Sequence, residues 1–246
     1  MSGLHYVLVN AFTSDPDCGN PAGVFILPQT CLPDPTHATP YTTEKIQALA
    51  KNINQPVSAF ISPLLPSDQA DQAEVDYAIR FFTPQNEIRI CGHATLASTK
   101  AILAFPELAA IAKPIKGISR VKNATSQESP RDFRFKTASG PILQSRRLST
   151  PPIANEGEPT EHIQLSFPHC LTVPIPLDSA AGRKILSALS DALNKPKQDV
   201  DVVYMGYGTG TYSFYVLIEL GVEESLEGKE VVTEALVRLF KRGLST

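Results

Sequence analysis

A cysteine and a histidine flank a glycine at positions 91–93, and no other part of the chain combines residue types so well suited to chemistry. Strand-like residues and Thr83-Pro84 precede this triplet, and a run of small residues with helical character follows it. The first amide groups of a helix lack partners within the helix and favour an anion or an oxyanion. Glycine permits the close approach of a ligand. We therefore expect a candidate active site at Cys91, Gly92 and His93.

The residues of this triplet are open to more than one interpretation. His93 could contact a substrate or transfer a proton, and the helix dipole would keep its imidazole neutral. It could equally satisfy local backbone groups, and the spacing alone leaves both possibilities open. The dipole could favour a thiolate at Cys91. The hydrophobic run that ends at this residue instead favours a small buried side chain.

Three other segments could carry function but have simpler structural interpretations. Residues 19–21 (Gly-Asn-Pro) could line a ligand, although an ordinary turn is favoured. Glu87 is expected to pair with Arg80 or Arg89. The glycine-rich segment 206–210 does not open a helix and lacks the lysine of a phosphate-binding loop, so it is predicted to be a hairpin turn.

Short strands and helices alternate along the whole chain, which favours an α+β fold. The helix predicted to continue from His93 to Ala104 is small and apolar nearly all round, so we expect it inside the structure. Residues 106–130 are weakly patterned and place a boundary between an N-terminal lobe (1–115) and a C-terminal lobe (130–246). The predicted strands are 5–12, 24–27, 57–61, 77–81, 133–137, 142–148, 162–167, 200–207 and 212–220, with further helices after Thr42 or Thr43, around 185–193 and at 232–240.

Composition excludes several classes of protein. A net charge of −3 over 246 residues shows no basic footprint for nucleic acid. No apolar run approaches the length of a membrane span, and no leader segment is evident, so we expect a cytoplasmic chain without a membrane partner. The four cysteines have no metal-ligand spacing, and neither a metal nor a cofactor is expected.

Two groups of motifs resemble the phenazine-biosynthesis PhzF-like family, within the wider diaminopimelate-epimerase-like fold. Residues 9–13 (Val-Asn-Ala-Phe-Thr) and 19–24 (Gly-Asn-Pro-Ala-Gly-Val) are similar to its opening strand, turn and second strand. Residues 80–84 (Arg-Phe-Phe-Thr-Pro), Glu87 and 91–97 (Cys-Gly-His-Ala-Thr-Leu-Ala) are similar to its most distinctive motif. From residue 130 onward only the pattern of elements agrees.

The resemblance implies two lobes, each a curved, mainly antiparallel sheet around a central helix, with a ligand in the cleft between them. Enzymes of this family isomerise or epimerise small acidic metabolites by moving a proton between carbons. His93 would bind or polarise the substrate. The substrate-binding set that it implies consists of Gly19, Asn20, Pro21, Ser58, Cys91 and Gly92.

This chain departs from the family pattern at two places. The family's catalytic glutamate stands just before an Ala-Phe pair, and the corresponding position here is Val57, followed by Ser58. Valine cannot transfer a proton. The second lobe of the family carries a Glu-Asp-Pro…Thr-Gly-Ser motif that is missing here, so the second lobe is expected to be shortened.

The sequence therefore predicts a PhzF-like isomerase or cyclase of small-molecule, secondary metabolism that works without the usual glutamate. One alternative is a catalytically silent binding or partner protein. Another is a proton-shift isomerase with Glu87, His93 or Cys91 as the replacement base. A shortened lobe would leave sheet edges exposed, so we also expect a homodimer.

Overall fold

The computed structural model describes residues 4–15, 17–27, 41–64, 76–105, 132–150, 160–224, 226 and 231–236. The chain forms two compact units, Met1–Pro168 and His169–Thr246. Both contain strands and helices, and the α+β fold class is confirmed. None of the described helices is long and apolar enough to cross a membrane.

The first unit is built on one mixed sheet. Its strands run in the spatial order β1-β2-β3-β4-β6-β7-β8, with the short β5 beside β4. The β2/β3 and β4/β6 pairs are parallel, and the other pairs are antiparallel. The strands are β1 (Tyr6–Ala11), β2 (Asn20–Ile26), β3 (Val57–Pro63), β4 (Tyr77–Phe82), β5 (Glu87–Ile88), β6 (Asp132–Thr137), β7 (Ile142–Thr150) and β8 (Thr160–Ser166).

Helix α1 (Thr43–Ile53) covers one face of this sheet. Thr42, one of the two threonines that the sequence offered as a cap, accepts a hydrogen bond from the Lys45 amide, and Asn54 ends the helix in the left-handed conformation. Its apolar side packs against a cluster of buried aromatic rings. These rings are Phe25, Phe60 and Phe82, and the first two stack with centroids 4.5 Å apart.

Helix α2 (Gly92–Ala104) is buried, as predicted from its composition. It contacts β1, β2 and β3 near one end of the strand order and β7 and β8 at the other. A sheet that touches one helix from both ends must curl around it. The small residues of α2 allow this close approach, and they are Ala94, Thr95, Ala97, Ser98, Thr99 and Ala101.

The second unit packs helix α3 against a small antiparallel sheet. The helix spans Ala180–Leu193, and the strands are β9 (Thr172–Pro174), β10 (Val202–Gly208) and β11 (Val216–Leu220), in the order β11-β10-β9. Ile185, Leu189 and Met205 lie at the centre of its core. The predicted hairpin is confirmed, and a 3-10 turn at Gly210–Tyr212 forms part of the connection between β10 and β11.

The boundary predicted between residues 115 and 130 does not coincide with the division into two units. Strands β6 to β8, assigned from the sequence to the C-terminal lobe, continue the first sheet, because β6 pairs with β4 through Tyr77 and Phe135. A weak sequence pattern marks a change in local structure, but it does not show which strands pair across it. Residues 106–130 lie outside the described residues. The predicted last helix is described only at 233–236.

An ion pair between a buried arginine and a partly exposed glutamate closes the turn that leads from β4 into α2. Arg80 is 7% exposed, and its Nε and Nη2 atoms each donate to the Glu87 carboxylate at 2.7 Å. The same guanidinium donates to Thr43 Oγ1 at 3.0 Å and lies over the Phe82 ring. The predicted pairing of Glu87 is thus confirmed, with Arg80 as its partner.

Replacing this carboxylate with an amide tests how much the burial of the arginine matters. We expect Glu87→Gln to lower the free energy of unfolding by about 1.5–3 kcal/mol, because a buried guanidinium loses its charged acceptor. Asp132→Asn is the matched control, since Asp132 also binds an arginine through both oxygens but at a site about half exposed. Its effect should lie near the limit of measurement, because water screens exposed pairs. Equal losses in the two variants, measured by urea unfolding, would contradict the role given to burial.

Candidate active site

The candidate site is built on the first turn of α2. Cys91 is the N-cap residue, in extended conformation with φ −150° and ψ 117°, and its side chain caps no amide. Its carbonyl accepts hydrogen bonds from the Thr95 amide at 3.2 Å and from Thr95 Oγ1 at 2.7 Å, which fix the turn. The amides of Gly92, His93 and Ala94 therefore have no partner within the helix. They form a donor cluster at the positive end of the helix dipole.

His93 adds a side chain to this cluster. Its Nδ1 lies 3.2 Å from Cys91 Sγ. Its Nε2 is buried and has no hydrogen-bond partner among the described residues. Burial lowers the pKa of the imidazole, so the ring is neutral at pH 7. A neutral ring with one open nitrogen can donate to or accept from a ligand.

Cys91 is buried, as the favoured interpretation of the sequence expected. Burial raises the pKa of its thiol to about 11 and outweighs the nearby Ala94 and His93 amides, which lower it. At neutral pH the side chain is therefore a thiol. A protonated thiol is a poor nucleophile and a poor base, so this state does not favour Cys91 as the replacement base.

The direction of α2 places its first turn at a defined edge of the sheet. Gly92 lies against Phe167, directly after the end of β8, and Thr99 Oγ1 donates to Ser145 Oγ in β7 at 2.7 Å. Ser145 pairs with Leu165 of β8. Successive residues of α2 therefore lie beside progressively earlier residues of β8, so the two elements run in opposite directions.

The other motifs begin at the same edge. Counting strand directions from β8 across the sheet shows that β2 and β3 also run opposite to β8. Both strands therefore start where β8 ends and α2 begins, and α2 contacts both. Asn20 is the first residue of β2, and Val57 is the first residue of β3. The fold thus brings the Gly-Asn-Pro turn, the Cys-Gly-His triplet and Val57, the residue expected at the position of the family's acid, to one edge.

The turn before β2 requires glycine at position 19. Gly19 has φ +91°, and a methyl group there would lie 2.5 Å from the Ala11 carbonyl oxygen and from Thr13 Cγ2. Asn20 then pairs with Ala11 of β1. These steric contacts are sufficient to explain why position 19 is glycine, without a ligand. Contact of Asn20 and Pro21 with a substrate stays a prediction.

Ser58 is not on the same face of the sheet as Val57. It shares its face with Phe60, which packs against α1, and Ser58 Oγ lies in the same tight space as Ile53 of α1. Val57 lies on the other face of the sheet, the face on which Ser145 contacts α2. The residues that lead across this face from Ser145 to Val57, as cross-strand partners or as alternate positions of one strand, are Phe133, Phe135, Tyr77, Ile79 and Ile61. Strand alternation therefore puts Val57 on the α2 face and Ser58 on the α1 face.

Two aromatic residues at this edge were not among the candidates from the sequence. Phe167, directly after β8, lies against Gly92 at the start of α2. Phe12 follows the end of β1 with φ +64° and is 69% exposed, an uncommon combination for a bulky side chain. Phe167 could be found only from strand pairing, and a left-handed phenylalanine has no sequence signal. The contact between Cys91 and His93 does have one, in the Cys-x-His spacing at a helix start.

Comparison with known proteins identifies the family. A model of the phenazine biosynthesis-like proteins (PhzC-PhzF) matches residues 9–197. The chain belongs to the phenazine biosynthesis-like family. This confirms the resemblance found in the motifs.

The PhzC-PhzF relatives differ in how much of their length this chain spans. Phenazine biosynthesis-like domain-containing protein 1 of Mus musculus is 30% identical over 241 residues, which cover 98% of this chain and 66% of the mouse protein. Uncharacterized isomerase YddE of Salmonella typhimurium is 38% identical over 90 residues, or 37% of this chain and 24% of that protein. A PhzF-family protein of Bacillus anthracis has the same fold, with a TM-score of 0.53 at 20% identity, over 98% of this chain and 64% of that structure.

The steric requirement at position 19 can be separated from backbone strain. We expect Gly19→Ala to lower the free energy of unfolding by about 1–3 kcal/mol more than Gly140→Ala does. Gly140 also has a positive φ, but a methyl group there meets nothing within 4 Å among the described residues. Thermal or urea unfolding of the two variants checks this. A Gly140→Ala loss as large as that of Gly19→Ala would show that strain alone sets the cost.

Proposed function

We propose that the chain is a PhzF-like isomerase or cyclase that acts on a small organic metabolite at the first turn of α2. The supporting observation is the open, buried Nε2 of His93 beside the amides of a helix N-terminus. This arrangement suits a carboxylate, or the oxyanion of an enolate that forms during the reaction. The isomerase named among the relatives is consistent with this class of reaction.

The remaining candidates for a proton-transferring base do not favour the usual chemistry of the family. Glu87 is held by Arg80 on the face that carries α1. Cys91 is a thiol with a pKa of about 11. Val57, on the α2 face, is a hydrocarbon side chain that is 6% exposed. Positioning of the substrate and donation of hydrogen bonds to it are thus better supported than proton transfer by a carboxylate. Each of these two effects can lower the activation barrier.

The second candidate function is a catalytically silent protein that binds the same kind of ligand. The donors at the first turn of α2 would serve binding as well as catalysis, so turnover separates the two. The cleft between two lobes, the homodimer, the cytoplasmic location and the link to secondary metabolism stay predictions.

Replacing His93 tests the site directly. The protein is mixed in D₂O with a panel of small carboxylic acids and amino acids, and NMR follows both ligand binding and conversion. We expect His93→Ala to lower turnover by about 10²–10³-fold, because a preorganised donor to developing charge is lost. Conversion without deuterium uptake at carbon would indicate a cyclisation or rearrangement, whereas deuterium uptake would indicate a proton shift.

His162→Ala is the control for that experiment, since His162 is exposed on β8. It should retain wild-type turnover and binding. Binding without any conversion, lost in His93→Ala, would favour the silent alternative. Unchanged turnover in a folded His93→Ala protein would remove His93 from the mechanism and contradict the proposed site.

Restoring a carboxylate at position 57 tests whether the chemistry has moved away from the family's acid. We expect Val57→Glu to leave turnover unimproved or lower it, because a charge would enter a buried position next to the donors that the ligand uses. Val57→Gln has a similar shape without the charge and separates the cost of size from that of charge. A large gain in Val57→Glu alone would indicate an isomerase that has lost its base, and would contradict chemistry based on donors and shape.

A further inference from the structure

We propose that Cys91 is a positioning residue whose S–H group donates to Nδ1 of His93 and so holds the imidazole in the tautomer that carries its hydrogen on Nε2. The functional consequence of this inference rests on the proposed function, because the tautomer decides whether His93 donates to a substrate or accepts from it. Its structural content, a thiol that fixes a histidine tautomer, can be measured without any substrate.

The geometry limits what the cysteine side chain can contact. Sγ lies 3.2 Å from Nδ1 of His93, within the distance of a sulfur hydrogen bond. The Ala94 and His93 amides lie near the sulfur and lower the pKa of the thiol, but neither meets the geometry of a capping hydrogen bond. Of the two ring nitrogens, Nδ1 thus has a partner, while Nε2 is buried without one among the described residues. The pair is local to the helix start, since the two residues are two positions apart.

The chemistry of the two groups sets the direction of the hydrogen bond. Sulfur is a weak acceptor, whereas an unprotonated imidazole nitrogen is a good one. Burial keeps the proton on the thiol, with a pKa of about 11, so the S–H is available to donate at neutral pH. If Nδ1 accepts from it, the single hydrogen of the neutral ring must lie on Nε2.

This tautomer makes the site a cluster of donors. Nε2–H would join the amides of Gly92, His93 and Ala94, and none of these groups can accept a proton from a substrate. Such a site favours an anionic oxygen and excludes His93 in this state from acting as a general base. Cys91 would therefore decide between two roles of His93 that the sequence leaves open.

Nitrogen-15 NMR of the full chain tests the tautomer. A long-range ¹H–¹⁵N spectrum at pH 7.5, assigned with His93→Gln, should show the hydrogen on Nε2 and a hydrogen-bonded acceptor at Nδ1. In Cys91→Ala the Nδ1 resonance should move downfield. The pKa of His93 should rise, because the neutral ring loses a hydrogen bond and gains hydration.

Controls and ligand binding separate this inference from general disruption. Cys170→Ala changes a cysteine of the second unit, and it should alter neither the His93 resonances nor its pKa. A small carboxylate that binds the wild type should bind Cys91→Ala about 2–10-fold more weakly, the equivalent of one modest hydrogen bond. Cys91→Ser retains a donor and should keep the tautomer.

Several outcomes would overturn the inference. A wild-type spectrum with the hydrogen on Nδ1, or with both tautomers populated, contradicts it whether or not Cys91→Ala folds. An unchanged Nδ1 resonance in folded Cys91→Ala contradicts it as well. These results leave the proposed function standing, because that depends on the effect of His93 on turnover. Conversely, the predicted spectra without any turnover would support the inference and favour the silent alternative.

Discussion

The close packing of α2 inside the curled sheet is the constraint on which the rest of the first unit depends. A helix in contact with strands near both ends of one sheet has little free surface, and most of the buried positions of α2 carry small side chains. Its polar residues must also be satisfied without water. Thr95, Ser98 and Thr99 achieve this through hydrogen bonds to carbonyl groups one turn earlier, and Thr99 Oγ1 also lies 2.7 Å from Ser145 Oγ of β7. Small hydroxyl residues thus give α2 both its fit and its polar contacts to the sheet.

The same packing makes the helix start a rigid place for chemistry. The chain enters α2 through the turn held by Arg80 and Glu87, and the Arg89 carbonyl accepts from Ser139 Oγ beyond the end of β6. Cys91 is therefore anchored on both sides, by the β4–β5 segment before it and by the buried helix after it. Donors that are fixed before a ligand arrives lose little entropy on binding, which is how preorganised sites stabilise charge.

The sequence predicted those features that depend on neighbours along the chain. A threonine cap at 42 or 43, a helix start near Gly92 and the burial of α2 follow from local residue types, and the family motifs indicate where the candidate site lies. Features that depend on pairing between distant strands were not accessible. The continuation of the first sheet into β6–β8 and the contact of Phe167 with Gly92 both arise across segments whose sequence pattern is weak.

Ser58 shows a further limit of reasoning from a motif. It is next in sequence to the position expected for the family acid, and it is predicted from the sequence to belong to the substrate-binding set. A strand alternates its side chains, and one position moves a residue from the α2 face to the α1 face. The packing of Phe60 against α1 shows which residues of β3 point to each face, and it places Ser58 on the α1 face.

The replacement at position 57 and the state of His93 are physically connected. A carboxylate at the start of β3 would lie at the same edge as the amides of α2, where its charge would compete with an anionic ligand for those donors. Valine carries no such charge. The first turn of α2 then offers amide donors and a neutral imidazole beside a thiol, a set that would favour negative charge on a bound molecule. On the proposed function, an uncharged residue at position 57 would therefore weaken proton transfer and strengthen anion binding at the same place, as expected of a site that holds and polarises its ligand.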